Sequence, residues 1–313
     1  MKNLKTLLPA LALTLFLTSA KAITFTTDTI IGAGDTTYDG QDITVSGCTL
    51  TVDGAHAFAS LAVSTNSTLT HSPATTNQAD CRLDITVTGD VTVQAGGAIN
   101  VSGAGYAPDN GPGKGAGASY GGTGGGGGPI YGSMLQPVDA GSGGVYSSYW
   151  GGGSSGGGRV KLTVHGALTV NGSLLAAGAN SGGNAGSGGS LWLAVGQLAG
   201  GGVISANGGN GNGGGGGGGR IAIYYDANAF AGMLTAFGGG GARGGPGTIL
   251  LKANAAAAAF LELDNGGTAG AWTPLDLPQA MDVLIARAPR CILPCRRPLI
   301  RSTSPAAAIL FTR

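Results

Sequence analysis

The sequence predicts an all-β protein: a right-handed parallel β-helix (β-solenoid) with coils of about 30 residues and Gly-rich turns. Three observations carry that expectation. Short runs of alternating apolar and β-branched polar residues are broken by Gly or Asp-Gly. A two-strand unit recurs at a fixed spacing. Glycine makes up 64 of 313 residues, and 55 of those lie between positions 96 and 247.

Taken in order, residues 1–22 read as an export signal. Lys2 and Lys5 precede a short apolar run, Leu7 to Thr18, and Ala20-Lys21-Ala22 offers a small-residue cleavage site before Ile23. A dozen apolar residues are too few for a membrane span, which needs about 20. Residues 23–103 are Thr/Val-rich coils. Ile43–Ser46, Thr49–Val52, Leu61–Ser64, Ile85–Thr88 and Val91–Val93 alternate with period two, separated by Gly47, Asp53-Gly54 and Gly89-Asp90.

The repeat is clearest in residues 159–255. GSLLAAG (Gly172–Gly178), GVISANG (Gly202–Gly208) and GMLTAFG (Gly232–Gly238) are spaced 30 residues apart. A second strand precedes each or closes the series, at Val160–Val164, Leu191–Val195, Ile221–Tyr225 and Thr248–Leu251, each after a glycine run. Such a unit cannot bury its apolar face alone, and stacking makes the core continuous. Leu174, Ile204 and Leu234 are expected in one interior column and Ala176, Ala206 and Ala236 in another. A propeller blade needs four strands in about 40 residues, more than this unit holds. An earlier copy at 85–103 is separated from the rest by a Gly/Tyr-rich insertion, 104–158. The glycines, with Asn207, Asn210 and Asn212, are expected to supply positive φ and close backbone approach at turns.

The Ala-rich window Ala253–Leu263 is the one place where a helix is expected. Residues 256–286 form a C-terminal segment. From Arg287 the texture changes: six of ten Arg crowd into 287–313 and glycine vanishes. That tail is read as out of frame or as the end of a truncated reading frame, with a disordered basic tail as the alternative.

Charge divides in the same way. In residues 22–286 seven Lys/Arg face all 15 acids, a net of −8. With six Lys in the whole chain there is no basic face for nucleic acid. Calcium-binding glycine repeats need a carboxylate in each turn, yet Asp139 is the only acid between 110 and 225. Asp35, Asp39 and Asp42 match no cation loop and read as turn residues. The G-x-S-x-G matches at 152–157 sit in a glycine tract with His165 as the one His beyond and no helix following, not the context of a nucleophile elbow, and Lys114 lacks the phosphate-loop context. No metal site, cofactor motif or catalytic residue is assigned. Asp84 and Asp90, with Arg82 nearby, are the best-placed acids for carbohydrate chemistry, and solvation of a strand end is the better explanation of them. His56, His71 and His165 read as surface or turn residues. Cys48 and Cys81 are the candidate disulfide pair of an exported domain; Cys291 and Cys295 lie in the tail. Tyr106, Tyr120, Tyr131, Tyr146, Tyr149 and Trp150 gather in the insertion, to pack it down or to stack on sugar rings. Tyr146, Tyr149 and Trp150 are the carbohydrate-contact candidates.

The stretch LTVDGAHAFASLAVSTNSTLTH (50–71), with the blocks GGSLWLAV, GGVISANGGNG and GGGRIAIYY, resembles the glycine-rich repeat regions of large exported bacterial surface proteins, adhesin-like in texture. The likeness covers about 40–255. It implies a secreted or cell-surface protein. The repeats, the acidic body and the lack of a catalytic constellation favour a structural or adhesive role, the insertion aromatics point to a polysaccharide or cell-surface glycan as partner, and no segment of the mature chain is long and apolar enough to span a membrane. A carbohydrate-active β-helix enzyme, lyase- or glycosidase-like, is the alternative, and an ice-binding Thr face (Thr44, Thr49, Thr51) the third.

Overall fold

The computed structural model describes residues 21–74 and 80–275, and beyond them the backbone of strands at 281–286, 290–294, 299–302 and 308–312. Residues 1–20, which hold most of the expected export signal, lie outside the described residues. Among the described residues the protein is all-β with no helix. In chain order the strands are β1 (Ala22–Phe25), β2 (Thr29–Ile31), β3 (Asp42–Val45), β4 (Thr49–Val52), β5 (Gly54–Phe58), β6 (Ser60–Val63), β7 (Thr68–Thr70), β8 (Leu83–Val87), β9 (Val91–Val93) and β10 (Ala98–Asn100). They continue with β11 (Arg159–Val170), β12 (Ser173–Leu175), β13 (Ser190–Gly200), β14 (Val203–Ser205), β15 (Arg220–Phe230), β16 (Met233–Thr235), β17 (Thr248–Ala253), β18 (Ala259–Asp264) and β19 (Trp272–Pro274). The last four are β20 (Met281–Ala286), β21 (Arg290–Pro294), β22 (Leu299–Ser302) and β23 (Ala308–Thr312).

From β1 to β17 the strands pair in parallel with partners one repeat away. One sheet runs β1-β3-β6-β9-β11-β13-β15-β17, and a second runs β2-β4-β7-β10-β12-β14-β16. β8 and β9 are two short strands, but in the next repeat the same two places are filled by the single 12-residue β11. Its first half pairs with β8 through Val160–Val164, and its last residues pair with β9 through Leu168–Val170. A bulge between Val164 and Ala167 turns the corner. Asp90 Oδ1 accepts the Ala167 N–H there at 2.8 Å.

Register puts like on like. Leu50, Leu69, Ile99, Leu174, Ile204 and Leu234 form one column across six strands. Leu83, Val160, Leu191, Ile221 and Ile249 form another, and these columns belong to one continuous core. Burying an aliphatic side chain contributes about 1.5–3 kcal/mol, and the stack repeats that gain at every level. Ala176, Ala206 and Ala236 are buried beside it. Their carbonyls accept N–H donors from Gly189, Gly219 and Gly247 at 2.6–2.7 Å, which closes each repeat back on itself.

Those bonds explain the glycine. A Cβ on Gly188 or Gly218 would lie within 3.0 Å of the carbonyl oxygen of Ala206 or Ala236. Only nine of the 55 glycines between 96 and 247 have positive φ. Turn conformation was expected to share the explanation; backbone-on-backbone contact dominates it. Asn207, Asn210 and Asn212 have no positive φ either.

Residues 101–158 depart between β10 and β11 without disturbing the register on either side. They lie flush on the glycine runs: Gly217 N–H donates to Ala118 O, Gly122 N–H to Gly218 O, and Gly245 N–H to Thr123 O, at 2.7–2.8 Å. Met134 and Leu135 cover Ala222, Leu250, Trp192 and Tyr224 in a smaller second core.

The helix expected at Ala253–Leu263 is not formed. The chain turns at 254–258 and returns as β18, antiparallel to β17 with Leu250 opposite Leu261. Alanine favours a helix, but Ala259, Leu261 and Leu263 alternate and bury as a strand, and that packing wins. β20 and β22 extend from β18 in parallel, and β19, β21 and β23 form a three-stranded parallel sheet, so the backbone of the Arg/Pro-rich tail includes three strands.

Candidate functional site

Five of the six aromatics named in the insertion divide into two groups, and Tyr106 is half-buried. Tyr120 and Tyr131 are turned inward, with ring centres 4.7 Å apart. The Tyr120 hydroxyl is 2.6 Å from Ser190 Oγ, and burial lifts its pKa to about 12. Tyr146, Tyr149 and Trp150 face outward, 64%, 81% and 48% exposed. Tyr149 and Trp150 meet edge to face at 4.7 Å.

Trp150 stands at the end of a groove. A concavity of about 510 Å³ is lined by Trp150, Asn180, Ser181, Asn210 and Gly240. Asn180 and Asn210 also line an adjoining one of about 670 Å³ that reaches Asn207, Phe237 and Arg243. The asparagines are oriented by the stack. Asn210 N–H donates to Asn180 Oδ1 at 2.8 Å, Gly240 N–H to Asn210 Oδ1 at 2.6 Å, and Phe237 N–H to Asn207 Oδ1 at 2.7 Å. A backbone N–H can only donate, so the oxygen of each amide is committed and its NH₂ is the group left for a ligand. The repeat spaces Asn180 and Asn210 by one inter-strand step, about 4.8 Å, and Asn207 lies three residues before Asn210.

A second concavity, about 310 Å³, lies on the outer face of β8, β11 and β13. Register sets Asp84 beside Lys161 and Lys161 beside Trp192. Lys161 Nζ is 3.1 Å from Asp84 Oδ1 and 5.3 Å from the Trp192 ring centre. Arg82 Nε is 3.8 Å from Asp84 Oδ2. Arg159 donates through Nε to Cys81 O and through Nη1 to Val138 O, both at 3.2 Å. Burial, and then the Arg82 charge, hold its pKa below the ordinary value. Pro137, Val138 and Asp139 of the insertion form the wall.

Asp90 is not part of this group, since its carboxylate caps the β11 corner. Asp35, Asp39 and Asp42 turn to separate partners, Thr37 N, His56 Nδ1 and Ser60 Oγ. Among the described residues no cluster of three or more His, Cys, Asp or Glu could hold a metal ion, and no helix is long and apolar enough to cross a membrane. Two of the histidines read as surface or turn residues are buried. His56 faces inward between Gly54 and Phe58, held by Asp39 and Asp53 O at 3.2 and 3.1 Å. His71 accepts the Arg159 N–H at 3.1 Å and donates to Ser72 O at 2.8 Å; only His165 is exposed. Cys48 and Cys81 are free thiols rather than a disulfide. Cys48 is buried with its Sγ 3.3 Å from Phe25 O, while Cys81 lies half-buried beside the Arg159 side chain.

Sequence reading missed Arg159, Lys161 and Trp192. The signal was there: LDITV, VKLTV and LWLAV put Asp84, Lys161 and Trp192 at one position of one repeated strand. Compared with known proteins, the chain matches no family model, no curated protein and no solved structure.

Proposed function

We propose that this chain is an exported structural or adhesive surface protein, a right-handed parallel β-helix that binds neutral glycan without catalysing its breakdown. The parallel, in-register stacking of unlike repeats supports the architecture, and the acidic, aromatic-poor body fits a binding role outside the cytoplasm. The observation that carries the reading is the groove of Asn180, Asn207 and Asn210 that ends at Trp150. Uncharged amide donors beside an exposed indole suit sugar hydroxyls and the apolar face of a pyranose. Affinity electrophoresis through gels containing neutral polysaccharides tests it. Retardation by at least one polymer is expected, weakened about tenfold or more by Trp150→Ala, which removes the stacking face. Free migration through all of them, or equal retardation of the variant, would overturn it.

Asp84 on β8, with Lys161 on the neighbouring β11 and Arg82 just before β8, favours the second reading, a carbohydrate-active enzyme. New reducing ends or unsaturated products from pectin- or alginate-type polymers would establish that reading instead.

A further inference from the structure

Two side chains that line the cleft beside β11 each have a donor with nothing to bond. Arg159 Nη2 and Trp192 Nε1 are buried without a hydrogen-bond partner, the two such side-chain atoms among the described residues, and both residues line the same 310 Å³ cavity. Leaving a buried donor unmade costs about 1–3 kcal/mol, so two in one cavity mark a place where acceptors belong.

The charges agree. Arg82, Arg159 and Lys161 outnumber Asp84 and Asp139 in the lining, although residues 22–286 as a whole carry a net of −8. Three of the seven cations of that acidic stretch meet here. Lys161 and Arg82 already share Asp84, whereas the Arg159 side chain is bonded only to carbonyls.

We propose that this cleft binds a carboxylate-bearing sugar, a uronate, with its carboxylate received by Arg159 Nη2 and Trp192 Nε1. A carboxylate is acceptor-only and has two oxygens for the two donors. The cavity is far larger than a bare oxyanion needs and falls at the lower end of small-ligand sites. Pro137 and Val138 offer an apolar wall to the ring, and Lys161 and Asp84 are placed for its hydroxyls. No residue lines both this cleft and the Asn groove, so the inference stands or falls apart from the groove reading.

Calorimetric titration of the full chain with galacturonate and glucuronate tests it, with galactose, glucose, inorganic phosphate and sulfate as comparisons. One uronate is expected to bind with a Kd on the order of 1 mM, as befits a monosaccharide, and more weakly as salt rises. Trp192→Phe keeps an aromatic ring beneath Lys161 but removes the indole N–H together with the five-membered ring that bears it, and it should weaken binding about fivefold or more. Arg159→Gln should do at least as much; if it fails to fold, Trp192→Phe decides. Trp150→Ala should leave uronate binding unchanged. No heat with either uronate, equal affinity for the neutral hexoses, equal affinity for phosphate or sulfate, or unaltered binding by a folded Trp192→Phe would each overturn the assignment.

Discussion

The guanidinium carbon of Arg220 lies 5.4 Å from the ring centre of Tyr120. This contact fastens the insertion to the repeats. Arg220 is 3% exposed. Its Nε and Nη2 donate to Tyr131 O at 3.1 and 2.9 Å, and its Nη1 to Thr248 Oγ1 at 3.4 Å. Burial holds its pKa below the ordinary value, and Tyr120 is the largest influence opposing that. A desolvated cation over an aromatic face is favourable by about 2 kcal/mol.

Tyr120→Phe keeps that face but strips the hydroxyl from Ser190. The expected cost is about 1–2 kcal/mol, read from urea unfolding. Arg220→Met should cost more, because it leaves Tyr131 O without two donors. A smaller loss for Arg220→Met would mean the insertion is held elsewhere.

Glycine columns give a sharper contrast. Gly218→Ala forces a Cβ onto Ala236 O and should destabilise by about 1–3 kcal/mol or more. At Gly201 nothing lies within 4 Å and φ is not positive. There an alanine should be neutral or stabilise by about 0.4–1 kcal/mol. Equal melting temperatures for the two variants would refute the packing account.

His71 makes stability pH-dependent. Burial pulls its pKa below 6.5 in the folded protein. Below about pH 6.5 the unfolded chain therefore binds the proton more readily than the folded one. The contribution is complete above that pH and is lost as the pH falls through the depressed folded value. His71→Gln retains an acceptor for Arg159 N–H and removes the titration. Melts at pH 7.5 and 5.0 should show a smaller difference for the variant than for the parent, and an identical difference would exclude His71 as the cause.

Leu174 is fully buried between Ile99 and Ile204. Leu174→Ala should cost about 2–5 kcal/mol in chemical unfolding. A loss below about 1 kcal/mol would show that the column collapses around the gap.

Much of the fold was legible because alternation and repeat spacing are properties of neighbours in sequence. Val160-Lys-Leu-Thr-Val164 on Leu83-Asp-Ile-Thr-Val87 states both the strand and its register. The helix expected at Ala253–Leu263 failed because intrinsic propensity is worth tenths of a kcal/mol per residue, less than burying Leu261 and Leu263 against the end of the stack. The candidate site was legible only in part. Tyr149 and Trp150 could be named from their place in the insertion, yet nothing in the local sequence separates them from Tyr120, which is buried.

The sequence by itself determined an all-β chain, the repeat, and which residues share a column, since a fixed period aligns equivalent positions whenever parallel strands stack. Only the tertiary structure decided what the glycines do and where the charges meet. Both depend on how closely segments distant in the chain approach: a carbonyl within 3.0 Å of where a Cβ would stand at Gly218, and a wall at 137–139 closing over Arg159 and Trp192.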